Sequence, residues 1–285
     1  MILDLKDLKP SERQDYLQHA IAPRPICFAS TIDAEGSINL SPFSFFNLVS
    51  TTPPIVVFSP TRRVRNNTTK HTLENIKQVA EVVINIVDYD MVQQVSLASC
   101  DYAKEVNEFI KAGFTPIPST IVKPPRVRES KINMECRVLS IHPFGNEGGS
   151  GNLVICEVLL MYIDESVLDN QKKIDQRKLH HVARLGGDWY CKVDESNLFK
   201  VEKPNMHLGI GIDELPHSIR YSKILTGNNL GQLANVHEYP AIDPSFDDAH
   251  LKQIIQYYSH NPDEMERELH IYARELLNTG NVREA

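Results

Sequence analysis

Short runs of apolar and β-branched residues, separated by turn residues, recur along the first 200 positions of the chain. Such runs are typical of β-strands, and Gly36 provides a turn between the first two. Strands are predicted over 26–32, 38–43, 55–59, 81–87, 132–141 and 153–163. Because the strands outnumber the helices and no regular βαβ alternation is present, we predict a mainly β fold, an antiparallel β-barrel with helical additions.

Helical spacing interrupts this pattern at two places and then dominates the tail. Helices are predicted over 69–79, with Thr69 as the N-cap, and over 101–112, ended by Gly113. Beyond residue 200 the helical segments are 217–225, 228–236, 247–258 and 262–277. We therefore predict two domains, a barrel over 1–200 and a helical C-terminal extension over 201–285 that packs on the barrel or on a dimer partner.

Composition narrows the functional classes. The 285 residues carry a net charge of −7, which argues against a general affinity for nucleic acid or for an anionic membrane surface. No apolar stretch approaches the ~20 residues that span a bilayer. The five cysteines are scattered and form no C-x-x-C pair. We therefore predict reduced thiols, a cytoplasmic location and no metal site.

The segment from Asn39 to Asn47 mixes three phenylalanines with serine and asparagine. A core strand would alternate more cleanly, and an ordinary loop would hold fewer aromatic residues. Flat aromatic and small polar groups together suit a flat heteroaromatic ligand. The alternative interpretation is a core strand that runs into a tight turn.

The segment from Ser59 to Thr72 is basic and leads directly into the first predicted helix. It contains Arg62, Arg63, Arg65 and Lys70. A helix N-terminus offers free N–H groups and a positive dipole end, and nearby cations add charge-assisted hydrogen bonds. The segment is therefore a candidate phosphate site. The alternative is a solvated basic loop before an ordinary N-cap.

Together these motifs resemble the flavin reductase-like, FMN-binding split-barrel family over about residues 20 to 195. The resemblance rests on the following segments, quoted as they stand in this chain: Arg24-Pro25-Ile26, Ser30-Thr31, Pro42-Phe43-Ser44-Phe45-Phe46-Asn47, Lys70-His71-Thr72, Glu108-Phe109, Ala112-Gly113-Phe114-Thr115-Pro116 and Gly186-Gly187. It says nothing about the tail.

The resemblance implies a homodimer that binds FMN non-covalently near the subunit interface. It implies that Ser44, Phe45, Phe46 and Asn47 face the isoalloxazine ring, largely through backbone groups, and that Ser30 and Thr31 lie near the ribityl chain. The phosphate would contact Ser59, Arg63, Lys70, His71 and Thr72. His71 departs from the family, which often has an acidic residue there, and the three arginines leave open which one reaches the phosphate.

The expected activity is that of an NAD(P)H-dependent flavin reductase, which passes a hydride from the nicotinamide to flavin N5 and supplies electrons to an acceptor or a partner oxygenase. Arg184 is the candidate catalytic residue, with an ion pair at a strand end as the alternative. Two other functions stay open. One is an electron-transfer flavoprotein without a nicotinamide site, and the other is a non-catalytic flavin-binding module.

Overall fold

A seven-stranded antiparallel sheet forms the centre of the first of two compact units, Met1–Leu198 and Phe199–Ala285. A computed structural model describes residues 1–201, 203–204, 208–241, 243 and 245–285. Its strands are β1 (Cys27–Ile32), β2 (Ile38–Phe43), β3 (Phe46–Thr51), β4 (Pro54–Phe58), β5 (Glu81–Ile86), β6 (Pro116–Ile117), β7 (Arg126–Val127), β8 (Ile132–Pro143), β9 (Asn152–Ile163), β10 (Val182–Arg184) and β11 (Tyr190–Lys192). Its α-helices are α1 (Pro10–Ala20), α2 (His71–Gln78), α3 (Val92–Leu97), α4 (Glu108–Ala112), α5 (His217–Arg220), α6 (Gly227–Ala234), α7 (Ala249–Tyr257) and α8 (Pro262–Asn278).

The strand order in the sheet is β2-β1-β5-β8-β9-β4-β3, so β2 and β3 lie at its two edges. Both faces of β1 are covered. Cys27 and Ala29 face a core that α2 completes with Leu73 and Ile76. Phe28 faces a second core, which includes side chains of α3 and α4. The sequence therefore shows an almost continuous apolar run at β1, since alternation is lost when both faces of a strand are buried.

The predicted mainly β fold, a barrel with helical additions, is confirmed, and the predicted strands lie within a residue or two of the observed ones. Seven helices and strands were not predicted. They are α1, α3, the edge strand β3 and the short strands β6, β7, β10 and β11. β3 includes Phe46 and Asn47, from the segment interpreted as facing a flat ligand or as a core strand that runs into a tight turn.

The predicted boundaries of two helices were wrong. α2 begins at His71, and Thr69 does not cap it, because the Thr69 hydroxyl donates to Glu74 Oε1 over 2.6 Å. The helix predicted over 101–112 is only α4, whose cap is the Asn107 side chain. It ends as predicted at Gly113, where φ is +74° and glycine is favoured.

The second unit is helical in its described part. Asp248 caps α7, its carboxylate accepting from Leu251 N over 2.6 Å, and Asn261 caps α8, which begins at Pro262. α5 is shorter than predicted, ending at Arg220. Among the described residues, no helix combines the length and apolar character needed to cross a membrane.

Candidate functional site

A cavity of about 830 Å³ opens in the first unit, within the size range of small-molecule sites. Four segments form its walls: α1 with the residues after it, the turn between β2 and β3, the loop between β4 and α2, and the loop between β8 and β9. The lining residues are Pro10, Arg13, Gln14, Leu17, Gln18, Ile21, Arg24, Pro42, Phe43, Ser44, Phe45, Ser59, Thr61, Lys70, Phe144, Gly145, Glu147, Gly148, Gly149 and Ser150.

The β2–β3 turn brings an aromatic ring to this cavity. Phe43 is buried and packs on Phe58, with the ring centroids 5.5 Å apart. Phe45 follows two positions later and is 41% exposed, and its carbonyl accepts from Ser59 N over 2.9 Å. That hydrogen bond joins the turn to the loop that contains Lys70, so the aromatic and basic segments share one cavity.

Backbone contacts brace the β8–β9 loop against the basic loop. Arg62 N donates to Ser150 O over 2.9 Å, and Gly149 N donates to Arg62 O over 3.0 Å. A Cβ added at Gly148 would lie 3.1 Å from the Val64 backbone. The sequence places glycines in this loop because the two backbones approach closely, and the loop thereby forms one wall of the cavity.

Of the basic residues, Lys70 lines the cavity and the arginines are engaged elsewhere. Arg63 donates from Nε to Asp101 Oδ1 over 2.6 Å, and from Nη1 to Thr68 Oγ1 and to the Thr69 carbonyl. Arg62 donates to the side chain and carbonyl of Asn67. Ser59 and Lys70 are therefore the predicted phosphate residues that the fold brings to the cavity.

One carboxylate is shared by three cations beside the cavity. Asp101 contacts Arg63, Arg65 over 3.2 Å and Lys70 over 4.0 Å. Burial acts to raise the pKa of Asp101, but the hydrogen bond from Arg63 and the charges of all three cations together hold this pKa below its usual value. Burial, and then the charge of Arg63, lowers the pKa of Lys70.

Thr72 lies behind this surface in a buried chain of hydrogen bonds. Its hydroxyl donates to Asn39 Oδ1 over 2.6 Å, and Asn39 Nδ2 donates to Glu108 Oε1 over 2.9 Å. The backbone N–H of Leu40 donates to Glu108 Oε2 over 3.0 Å. Burial raises the pKa of Glu108 although these hydrogen bonds oppose the shift. His71, the first residue of α2, is half-buried and is not among the lining residues.

Ser30 and Thr31 are also buried rather than exposed to the cavity. Thr31 Oγ1 accepts from Asn75 Nδ2 over 3.2 Å. The Ser30 hydroxyl has no hydrogen-bond partner among the described residues. Phe46 packs against the barrel core, and Asn47 is exposed on β3, where its side chain accepts from Leu48 N over 2.9 Å.

Arg184 lies on β10 and does not line the cavity. Its backbone pairs with that of Arg24, and its guanidinium donates to Gly187 O over 2.8 Å and stacks on Tyr190. Arg24 does line the cavity and was not proposed as a site residue. Sequence reasoning also missed α1 as a wall, although Pro10 at its first turn with Glu12 nearby is a recognisable helix start.

No cluster of three or more His, Cys, Asp or Glu residues suited to a metal ion occurs in the part of the chain that the structure describes.

Comparison with known proteins identifies the family. The model of the flavin reductase like domain matches residues 19–182. The chain belongs to this family. A protein of Halalkalibacterium halodurans is 32% identical over 208 residues, which cover 72% of this chain and 98% of that protein. A protein of Aquifex aeolicus is 36% identical over 172 residues, or 60% of this chain and 85% of that protein.

Solved structures of family members agree with the fold. Nitrilotriacetate monooxygenase component B from Bacillus cereus is 27% identical with a TM-score of 0.65, covering 70% of this chain and 98% of its own. The 2-nitrobenzoate 2-nitroreductase of Pseudomonas fluorescens is 25% identical with a TM-score of 0.65, covering 74% of this chain and 100% of its own. A split-barrel protein from Shewanella frigidimarina is 24% identical with a TM-score of 0.60, covers 71% of this chain and 99% of its own, and shares the fold. The predicted split barrel is thus confirmed.

Proposed function

We propose that this chain binds FMN non-covalently in the cavity and catalyses the NAD(P)H-dependent reduction of flavin. The observation that supports this most is the joining of the β2–β3 turn to the basic loop. Phe45 and Ser44 line one part of the cavity, and Ser59 and Lys70 line another. A flat aromatic group and an anionic group on one ligand match that arrangement, and FMN has both.

The donor set fits the phosphate of FMN. Lys70 is half-buried, and its ammonium gives three hydrogen-bond donors of a kind suited to phosphate oxygens. Ser59 adds a hydroxyl that lines the cavity. We propose that these two residues hold the phosphate, and that Ser44 and Phe45 contact the isoalloxazine ring. Thr72 and Thr31 would act indirectly, because their hydroxyls are already used within the fold.

When bound, the flavin would supply the hydride and electron chemistry, which is intrinsic to the cofactor. The residues of this chain would bind and orient it so that the hydride donor meets the flavin ring at reacting distance. No acid–base pair is required. Arg184 stays a candidate, but its contacts with Gly187 and Tyr190 make a supporting function the simpler one.

The choice of reductase is supported by family membership and by the two solved relatives named above, one a monooxygenase component and the other a nitroreductase. Delivery of electrons to a partner oxygenase or to another acceptor belongs to the proposal. We also propose a homodimer. Leu48 and Val49 on the edge strand β3 are 57% and 58% exposed and would provide apolar surface for the dimer contact. The cytoplasmic location stays a prediction.

The test is to reconstitute the purified full-length protein with FMN, remove oxygen and add NADH or NADPH. We expect the flavin to co-elute with the protein and its visible absorbance to bleach within seconds of mixing. A protein that retains no FMN would contradict the binding proposal. A protein that binds FMN but is not bleached by either donor would favour the electron carrier or the binding module.

A further inference from the structure

The first helix, α1, lines the cavity but contributes no buried side chain to the hydrophobic core. α1 has 11 residues, none of them buried, and Tyr16 and Leu17 are 43% and 41% exposed. A surface helix is normally fixed by a buried apolar stripe, and α1 has none. Its position must therefore be set by other contacts, and its side chains toward the cavity are free for another purpose.

A buried arginine holds the C-terminal end of α1. Arg24 is 6% exposed, and its Nη1 donates to the carbonyls of Gln18 and Ile21, each over 2.5 Å. Its Nη2 donates to Leu185 O over 2.8 Å. The last carbonyls of a helix lack partners within the helix and favour a cation, so one guanidinium links α1 to the turn after β10.

A glycine in that turn makes room for the helix. A Cβ added at Gly186 would lie 2.1 Å from the His19 imidazole, so any larger residue would require the His19 side chain to move. α1 is thus fixed at its C-terminal end by specific contacts, which make it a defined wall of the cavity.

Two glutamines of α1 line the cavity one helical turn apart. Gln14 and Gln18 stand at positions i and i+4, which share one helix face. Neither side-chain amide has a hydrogen-bond partner among the described residues. Leu17 and Ile21 add apolar surface to the same wall. The nearby charge of Arg13 is engaged, because its guanidinium donates to the Leu5 and Leu8 carbonyls.

We propose that α1 binds the carboxamide-bearing ring of the hydride donor, with Gln14 and Gln18 hydrogen-bonded to that carboxamide. A primary amide offers an acceptor and two donors, and a glutamine amide complements both. The amides and apolar side chains of this wall suit a nicotinamide ring better than a phosphate or a carboxylate, since the Arg13 guanidinium is already hydrogen-bonded to backbone carbonyls.

The inference rests on the proposed reductase function, and binding separates the two. FMN-loaded wild type and the Gln14→Met/Gln18→Met double variant are titrated with NAD⁺ and NADP⁺. Binding is measured from the change in the visible absorbance spectrum of the flavin. Steady-state kinetics are then measured with the preferred reduced dinucleotide. We expect the dissociation constant and KM to rise about fivefold to tenfold, since a neutral hydrogen bond contributes a factor of roughly 2 to 13. The kcat, the FMN affinity and the melting temperature should stay unchanged.

A dinucleotide analogue with an acetyl group in place of the carboxamide tests the hydrogen bonds to the amide separately from the other contacts, because the acetyl group has no N–H donors. Wild type should bind this analogue more weakly than the parent dinucleotide, and the double variant should bind the two about equally. The matched control is Gln93→Met on α3, an exposed glutamine that does not line the cavity and should change nothing.

Unchanged dinucleotide affinity in the double variant would overturn the inference, as would an equal loss for the parent and the analogue. If wild type binds a dinucleotide but does not oxidise its reduced form, the reductase function fails while the titration still decides the amide contact. If wild type binds neither dinucleotide, both proposals fail.

Discussion

On one side of the first turn of α2, polar side chains are buried and bonded to one another, whereas on the other side they line an open cavity. Thr72 belongs to the buried side, with its hydroxyl on Asn39 and Asn39 on Glu108. Lys70, two residues earlier, belongs to the open side with Ser59. Two polar residues only two positions apart therefore differ in function, one stabilising the fold and the other lining the candidate ligand site.

This difference shows that the polar residues of one motif fall into two groups. In one group the hydrogen bonds are made within the protein, and in the other the polar atoms remain available to a ligand. A buried hydroxyl whose bond is satisfied within the protein stabilises the helix position. A half-buried ammonium at a cavity is available to an anion. The predictions below test this division, beginning with the largest expected effect.

Glu108→Ala should be the most damaging change to stability. It leaves Asn39 Nδ2 and Leu40 N without their acceptor in a buried place, and hydrogen bonds to a charged group contribute roughly 1.5–3 kcal/mol each. We expect the free energy of unfolding to fall by about 3 kcal/mol or more, measured by urea unfolding with circular dichroism. A fall below about 1 kcal/mol would show that the chain of bonds is not structural.

The pH dependence of the unfolding free energy, compared between wild type and Glu108→Gln, tests whether burial affects the Glu108 carboxyl. The pKa of Glu108 is raised by burial, so the folded state binds its proton more tightly than the unfolded state. Stability from this group is therefore lost as pH rises from the ordinary glutamate pKa through the raised one. The wild type should show this loss above about pH 4.3, the ordinary value. The glutamine variant should lack it, and identical pH profiles would contradict the shift.

Lys70→Ala should weaken FMN by roughly 10-fold to 100-fold, the loss expected for a charge-assisted hydrogen bond of ~1.5–3 kcal/mol. Riboflavin lacks the phosphate and should bind the variant and the wild type about equally. Fluorescence titration with both ligands measures this ratio. Lys77→Ala, exposed on the same helix and not at the cavity, is the control. Equal losses for FMN and riboflavin would place the phosphate elsewhere.

Thr72→Val should lower stability without changing ligand selectivity, whereas Lys70→Ala should change ligand selectivity. The change keeps the shape of the side chain but leaves Asn39 Oδ1 without its donor in a fully buried position. We expect a loss of about 1–2 kcal/mol in unfolding free energy. The ratio of FMN to riboflavin affinity should not change. A selective loss of FMN binding would move Thr72 from the buried group to the phosphate contacts.

Asp101→Asn should have the smallest effect of these changes, a modest increase in FMN affinity. The carboxylate faces Arg63, Arg65 and Lys70 and would repel a bound phosphate. Exposed charge pairs contribute only ~0.2–1 kcal/mol, so FMN should bind up to about fivefold more tightly at low salt. The gain should shrink as salt is added. Weaker FMN binding would mean that Asp101 is needed to position the loop.

Much of the fold could be predicted because the strand signal is local. β-branched and apolar runs marked β4, β5, β8 and β9 directly, and proline or glycine bounds β4, β8 and β9. The helix predicted over 101–112 is observed only as α4, because the Asn107 side chain caps it by accepting from Phe109 N over 2.9 Å. Before that cap, Asp101 pairs with Arg63, and Lys104 pairs with Asp33 over 3.4 Å.

The site could be predicted only in part. The basic and aromatic segments were found from their composition, and Ser44, Phe45, Ser59 and Lys70 do meet in one cavity. The distribution of the remaining candidates depends on partners far along the chain. Thr72 is joined to Glu108 through Asn39, and Arg63 is held by Asp101. No spacing rule places those partners.

The sequence by itself determined six of the seven strands of the central sheet and the segments that carry candidate ligand-binding residues, because hydrophobic patterning and residue type are local properties. Only the tertiary structure decided which polar groups face the cavity. The hydrogen bonds of Thr31, Thr72 and Arg63 are made with residues 33 to 44 positions away in the chain. The wall formed by α1 was likewise decided by Arg24 and Gly186, whose contacts exist only once the chain has folded.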